Sequence, residues 1–318
     1  MTVLVTGGAG FIGSHFIDMH LERCPEDKIV CLDKLTYAGD MDNLSEAVKS
    51  SRFSFVKGDI CNRELLQMVF REYRPDIVVN FAAESHVDRS IASPQVFLET
   101  NYMGTAALLN ASLEFGVKRF HQISTDEVYG DLPLESSEKF TEETPAAPHS
   151  PYSASKAAAD MLALAYHRTY GLNVTVSRCS NNYGERQFPE KLIPLAVKKA
   201  VNGEKIPLYG DGRNVRDWIY VKDHCKAVEM ILENGRAGEI YNIGADNELS
   251  NLAIVQKLLE TLGKSADDIE FVPDRKGHDR RYAVSSEKLR REMNFKAETD
   301  FEKKFPEVVK WFEKKYKS

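Results

Sequence analysis

The sequence predicts an α/β fold in which a doubly wound parallel sheet is followed by a smaller C-terminal α/β region. Three observations predict it. Short runs rich in Val, Ile and Phe alternate with helical stretches through the first half of the 318-residue chain. These runs are apolar throughout rather than at every second position, which marks strands covered on both faces. After about Ser180 the rhythm changes to polar segments rich in Gly, Pro and Arg.

Taken in order, TVLVTG (Thr2 to Gly7) reads as a strand and FIGSHFIDMHLERC as the helix after it. KIVCLD (Lys28 to Asp33) and FSFVKGD (Phe53 to Asp59) are the next strands. Helical NRELLQMVFREY leads to DIVVNFAA (Asp76 to Ala83), and a helix through TNYMGTAALLNASLEFG leads to RFHQIST. A further helix through SASKAAADMLALAYHRTY leads to NVTVSRCS (Asn173 to Ser180). Such β-helix alternation is the pattern of a Rossmann sheet. We divide the chain into residues 1–180, the sheet domain, and 181–318, a smaller α/β substrate-binding region, with later strands free to rejoin the sheet. The segments NNYGERQFPEKLIP, GDGRNVRDW and PDRKGHDRRY belong to the second region.

Charge and composition narrow the function. The net charge is −6 and the chain carries no Lys/Arg block, which argues against nucleic acid or an anionic membrane as partner. No apolar stretch approaches the roughly 20 residues that cross a bilayer. Five cysteines (Cys24, Cys31, Cys61, Cys179 and Cys225) form no C-x-x-C, so reduced thiols and a cytoplasmic protein are expected. No Cys/His spacing suggests zinc, and no metal is expected.

TGGAGFIG sets Gly7, Gly10 and Gly13 between the first strand and the first helix. Glycine permits the tight turn and the close approach of a pyrophosphate, and the helix N-terminus offers unpaired N–H groups. Strand, turn and helix stand in the order a dinucleotide site requires. Asp33 ends the second strand, where a carboxylate binds ribose hydroxyls and repels a 2′-phosphate, so NAD is expected over NADP. Lys34 follows directly and is a base that tolerates phosphate. Asp59 is either an adenine contact or a solvated strand-end acid.

SPYSASKAAAD contains Tyr152 and Lys156, four apart and so on one helix face. An ammonium near a phenol favours the phenolate, which can take a hydroxyl proton near neutral pH. STDEVYG places Asp126 and Glu127 side by side where a strand should end. They read either as a capped, solvated turn or as an acid and a base at a reacting centre.

These motifs, with NFAAESHVDRS, CLDKLTYAG, CSNNYG, FPEKLIP, NVRDW, YNIG and GHDRRYA, resemble the dTDP-glucose 4,6-dehydratase family of the extended short-chain dehydrogenase/reductases. The resemblance runs to roughly Tyr282. It implies a hydro-lyase that oxidises a nucleotide hexose at C4, eliminates water across C5 and C6 and returns hydride to C6, with NAD held tightly and regenerated each turnover. By resemblance Tyr152 takes the 4-hydroxyl proton, Thr125 hydrogen-bonds the 4-oxygen, Glu127 removes the C5 proton and Asp126 protonates the departing 6-hydroxyl. For that role Asp126 has to stay protonated, which burial and the Glu127 charge would favour. Cofactor contacts are expected from Gly7, Gly10, Phe11, Ile12, Gly13, Asp33, Lys34, Thr36, Asp59, Ile60, Ala82, Ala83, Ser85, Thr100, Tyr152, Lys156 and Asn182. Substrate contacts are expected from Ser85, Thr125, Asn181, Lys191, Leu192, Pro207, Tyr209, Asn251 and His278, with Arg216 and then Arg275 as diphosphate ligands. Arg216 bridging surface acids is the alternative. Glu84, His86 and Asp88 are read as a hydrogen-bond network rather than a metal site.

The chain departs from the family pattern at Glu185, Arg186 and Gln187 and at Lys276, all within the substrate region. The broad apolar faces of TAALLNASLEFG and AAADMLALAYHRTY imply, by resemblance, a homodimer through a four-helix bundle. Alternatives to the dehydratase are a nucleotide-sugar 4-epimerase, which needs no second acid–base pair, a UDP-hexose 4,6-dehydratase, and a non-catalytic NAD-responsive binding protein.

Overall fold

The computed structural model describes residues 1–317; Ser318, the last residue of the expected C-terminal region, lies outside them. Its strands are β1 (Thr2–Thr6), β2 (Lys28–Asp33), β3 (Phe53–Lys57), β4 (Ile77–Asn80), β5 (Arg119–Thr125), β6 (Val174–Cys179), β7 (Asn181–Tyr183), β8 (Ile206–Tyr209), β9 (Val215–Tyr220), β10 (Glu239–Ile243), β11 (Glu248–Ser250) and β12 (Ile269–Val272). Its helices are α1 (Phe11–Arg23), α2 (Arg63–Tyr73), α3 (Val87–Ala92), α4 (Pro94–Phe97), α5 (Thr105–Glu114), α6 (Pro151–Tyr170), α7 (Leu192–Val201), α8 (Val221–Asn234), α9 (Asn251–Leu262), α10 (Glu287–Met293) and α11 (Phe301–Lys317).

The central sheet runs β10-β6-β5-β4-β1-β2-β3, and every neighbouring pair is parallel. Alternate residues of its strands enter two different cores. Val3, Val5, Ile29, Cys31, Ile77 and Val79 pack with α1, α8 and α11. Leu4, Val30, Leu32 and Val78 pack with α2, α5 and α6. This two-sided burial is why the strands read as continuously apolar. The strand order reverses between β1 and β4, so the carboxyl ends of β1, β2, β4, β5 and β6 open onto one crevice, the ligand position of a doubly wound sheet.

Two elements differ from the sequence reading. β4 stops at Asn80, and Phe81–Ala83 leave the sheet. A Cβ at Gly7 would lie 2.6 Å from the Ala82 nitrogen, so this backbone crosses against the glycine turn instead of continuing the strand. The helix through TNYMGTAALLNASLEFG opens with a π-helical stretch, Leu98–Gly104, before α5; such bulges often mark functional sites.

Beyond Ser180 the chain builds small sheets β11-β9-β7 and β12-β8, with α7, α9 and α11 packed on one another. β10 then pairs with β6 at the edge of the central sheet.

Candidate functional site

One cleft at the carboxyl edge of the sheet is lined by Gly7, Gly10, Phe11, Ile12, Gly13, Asp33, Lys34, Thr36, Asp59, Ile60, Ala82, Ala83, Ser85, Thr100 and Asn182 at one end, and by Thr125, Asp126, Glu127, Tyr152, Lys156, Asn181 and Lys191 at the other. At the first end the backbone comes too close for side chains. Gly7 sits at φ +68°, and a Cβ on Gly13 would lie 2.5 Å from the Gly7 carbonyl oxygen. α1 starts at Gly10 with no side-chain cap and no acid in its first turn, leaving its N–H groups free for an anion. The Asp33 carboxylate is fixed by the Ala9 and Leu35 N–H groups at 2.9 and 2.8 Å, with burial raising its pKa. These residues fit a dinucleotide with free ribose hydroxyls. Asp59 lines this end of the cleft and is not a merely solvated acid: it accepts from the Cys61 N–H at 2.8 Å and pairs with Lys34 at 2.7 Å. That pairing neutralises the base beside Asp33.

The catalytic end is built by a helix start and a strand end. Ser150 caps α6 through a reciprocal capping box with Ser153, and Pro151 takes the first helical position. The cap fixes Tyr152 at the mouth of the helix and Lys156 one turn further, its Nζ donating to the Ile123 carbonyl of β5 at 2.6 Å. At the end of β5, Thr125 is the residue that caps the short turn Asp126–Tyr129, its Oγ1 accepting from the Glu127 N–H at 3.3 Å. The expected capped turn therefore exists, but Thr125 does the capping and both acids are left over.

Asp126 is 2% exposed, and its Oδ2 has no hydrogen-bond partner among the described residues. Burial first, then the Glu127 charge, lift its pKa well above the carboxylate range. Glu127 is half-buried; burial raises its pKa, opposed by Arg275, Lys191 and Arg216. Tyr152 corrects an expectation. Its phenol pKa is raised, by burial first and by Glu127 next, and Lys156 is not among the causes. Desolvation outweighs the ammonium one turn away, whose own pKa burial lowers.

The proposed substrate ligands divide. Lys191 lines the cleft and donates to the Ser85 carbonyl at 2.8 Å. Arg216 is 4% exposed and bridges no surface acid: it donates to the Val215 and Asp279 carbonyls at 2.8 and 2.9 Å and lies over the Tyr282 ring. Arg275 has a buried Nε without a partner. Tyr209 donates to Asp88 at 3.4 Å and meets the His278 ring edge-on. Leu192, Pro207 and Asn251, at the start of α7, within β8 and at the start of α9, stand outside the cleft lining, as do Tyr209, Arg216, Arg275 and His278. His86 lies 3.6 Å from Asp88 and 4.0 Å from Glu190, with its pKa lowered to about 4 by burial, a polar network with a neutral imidazole.

A family model described as GDP-mannose 4,6 dehydratase matches residues 4–308. A dTDP-glucose 4,6-dehydratase of Actinoplanes sp. is 49% identical over 317 residues, with 98% of each chain covered. The chain belongs to the dTDP-glucose 4,6-dehydratase family. DesIV, a dTDP-glucose 4,6-dehydratase from Streptomyces venezuelae solved with NAD bound, superimposes with a TM-score of 0.95 at 48% identity, covering 99% of this chain and 97% of its own. A UDP-glucose 4-epimerase from Thermotoga maritima shares the fold at a TM-score of 0.91 but only 30% identity, covering 99% of this chain and 99% of its own.

Cys179, Ser180, Phe188 and Glu190 line this dehydratase cleft and escaped the sequence reading, while Gln187, noted only as a departure, and Glu84, noted only within a polar network, line it too. Glu84 is buried with its Oε2 unpartnered. The departure at 185–187 is split: Glu185 turns to Tyr220 and Lys304, and Arg186 pairs with Asp18 of α1 at 2.7 Å. Only Gln187 faces the cleft, so the first two tie a loop to helices rather than read a substrate.

Proposed function

We propose that this cleft carries out NAD-dependent dehydration of a nucleotide hexose, taking dTDP-glucose to dTDP-4-keto-6-deoxyglucose and water. The observation that carries it is Asp126: a buried acid whose pKa burial lifts, with one oxygen lacking a hydrogen-bond partner, beside Glu127 and in one cleft with Tyr152 and Lys156. When bound, NAD supplies a hydride acceptor for C4, a donor for C6 and a positive ring charge that counters the pull of Glu127 on the phenol. Tyr152 takes the 4-hydroxyl proton and Thr125 holds the 4-oxygen. The 4-ketone acidifies C5–H, which Glu127 removes, its anion favoured by Arg275, Lys191 and Arg216 against the opposing effect of burial. Asp126 gives its proton to the 6-hydroxyl, which leaves as water; when C6 is reduced, C5 takes back the proton from Glu127, and passage of the proton gained by Tyr152 to Asp126 restores the resting site. The buried Asp33, with Lys34 occupied by Asp59, favours NAD over NADP.

Within this reading residues 1–180 hold the cofactor and residues 181–318 the nucleotide sugar, with Arg216 and Arg275 toward the diphosphate. We take the protein to be a cytoplasmic homodimer. Separately, no helix among the described residues is long and apolar enough to cross a membrane. Incubation with dTDP-glucose and mass measurement test the activity: loss of one water supports it, an isomer of equal mass supports an epimerase, and no change supports a binder. Asp126→Asn and Glu127→Gln are each expected to slow turnover about 10²–10⁴-fold while NADH still forms in a single turnover. Wild-type turnover in both would overturn the roles. A uracil and a thymine differ by one methyl, worth about 1–3 kcal/mol, so UDP-glucose is expected as a poorer substrate.

A further inference from the structure

Behind the catalytic groups lies a buried charge cluster that the proposed chemistry does not use. Asp160 is 0% exposed and sits one helical turn past Lys156 on α6, so that Tyr152, Lys156 and Asp160 share one face. Its Oδ2 accepts from Ser124 Oγ at 2.9 Å and from Arg178 Nε at 3.0 Å. Ser124 is the residue before Thr125 at the end of β5. Arg178, on β6, lies over the ring of Tyr129, which closes the turn bearing Asp126 and Glu127. Tyr129 in turn donates to Asn242 of β10 at 2.7 Å. One carboxylate thus touches both the helix that carries the phenol and the strand end that carries the acid pair.

We infer that Asp160 is a positioning residue: it holds the Tyr152–Lys156 helix in register with the Thr125–Glu127 strand end and is the counter-charge of Lys156. The inference rests on the roles proposed above for Tyr152 and Lys156. Burying a lysine disfavours its ammonium, and a carboxylate close by restores it. The ionisable groups that act on Lys156 are Asp160 and the Cys179 thiol at the end of β6. β5 faces it with the Ile123 carbonyl. The other packed elements carry Asp126 and Glu127 on the turn after β5 and Arg178 on β6, and neither these nor any charged group of α3, α4, α5 or the π-helical stretch is among the groups that act on it. A sheet-to-helix contact of this kind needs no charge for packing, and an apolar pair of similar volume would serve as well.

The test is the pH profile of turnover. Asp160→Asn keeps the shape and the Ser124 contact but removes the charge. Lys156 then loses its proton at lower pH, so the basic limb of the profile moves down by about one pH unit. The companion variant, Asp160→Leu with Arg178→Met, replaces the pair by apolar side chains and is expected to move the limb in the same direction. A folded Asp160→Asn enzyme with the wild-type limb, or one slowed equally at every pH, overturns the inference. If Asp160→Asn does not fold, the double variant decides by the same criterion; failure of both to fold assigns the pair to the fold alone and overturns it as well. Tyr152→Phe run alongside separates the two readings. Full turnover in Tyr152→Phe defeats the site roles, whereas an inactive Tyr152→Phe with an unshifted Asp160→Asn limb defeats only this inference.

Discussion

Asp126 is an acid kept where its ionised form is costly, and that cost can be measured apart from activity. Its folded pKa lies well above the roughly 3.9 of an unfolded aspartate. The group therefore favours the fold fully below about pH 4, and that contribution is lost as pH rises toward the folded pKa. Asp126→Asn removes the ionisation and keeps the shape. The variant is expected to melt no higher than wild type at pH 4 and higher than wild type at pH 8, the gap widening by at most about 1.4 kcal/mol per pH unit. Thermal melts across that range check it. A constant gap would mean that Asp126 ionises in the fold much as it does in the unfolded chain, and a general acid that loses its proton there has nothing to donate. The stabilising and inactivating effects of one substitution would show fold stability being given up for chemistry at this position.

At the scale of elements, the turn from β1 into α1 is held by contacts between backbone atoms, which cannot rotate away. A methyl at Gly13 would meet the Gly7 carbonyl oxygen at 2.5 Å and the Gly8 Cα at 2.9 Å. Gly13→Ala must push α1 off the turn, at about 1–3 kcal/mol, and tilt the N–H groups that face the cofactor. Purified Gly13→Ala is expected to carry less NAD than wild type, read from the absorbance released on denaturation, and to melt lower; full occupancy with an unchanged melt would show that the turn tolerates the methyl. This turn was legible in the sequence because its chemistry is local, as was the start of α6, where Ser150, Pro151 and Ser153 write the cap in consecutive letters. Depth and register were not. Tyr152 and Lys156 share a face by spacing alone, but only the packed structure shows that burial raises the phenol's pKa rather than lowering it. Lys34 and Asp59 meet because β2 and β3 pair with Asp33 opposite Lys57, a register no short motif specifies. The sequence marks Arg216 as a diphosphate ligand or, failing that, a bridge between surface acids; no motif foretells that it also donates to backbone carbonyls of the Asp279–Arg280 segment, distant in the chain.

For the whole molecule, we propose that the outer faces of α5 and α6 form the seam of a homodimer. The two helices lie side by side, joined by Tyr166 donating to Asn110 at 2.8 Å. Ala154, Ala158, Met161 and Ala165 form a stripe along the open side of α6 at the three-and-four spacing of a helix seam. Met103, Ala106, Asn110 and Leu113 form its counterpart on α5 and the π-helical stretch before it. Met161, Met103 and Leu113 are exposed there, 47%, 49% and 38% of each. A second copy turned by a two-fold axis would set stripe against stripe and close a four-helix bundle, each patch burying its own image. The small residues on α6 would let the backbones approach, with Met161 at the centre. Met161→Glu then puts two like charges into the middle of an apolar seam, one from each copy, with no partner for either. Light scattering is expected to give wild type at twice the 35.9 kDa chain mass and Met161→Glu at the single-chain mass, with the same circular dichroism. A wild-type protein at the single-chain mass would remove the dimer. One chain supplies a cleft lining that runs from the glycine turn to the acid pair. The monomeric Met161→Glu enzyme is therefore expected to keep measurable dehydration, and its complete inactivation with NAD still bound would mean that the bundle holds α6, and with it Tyr152, in place.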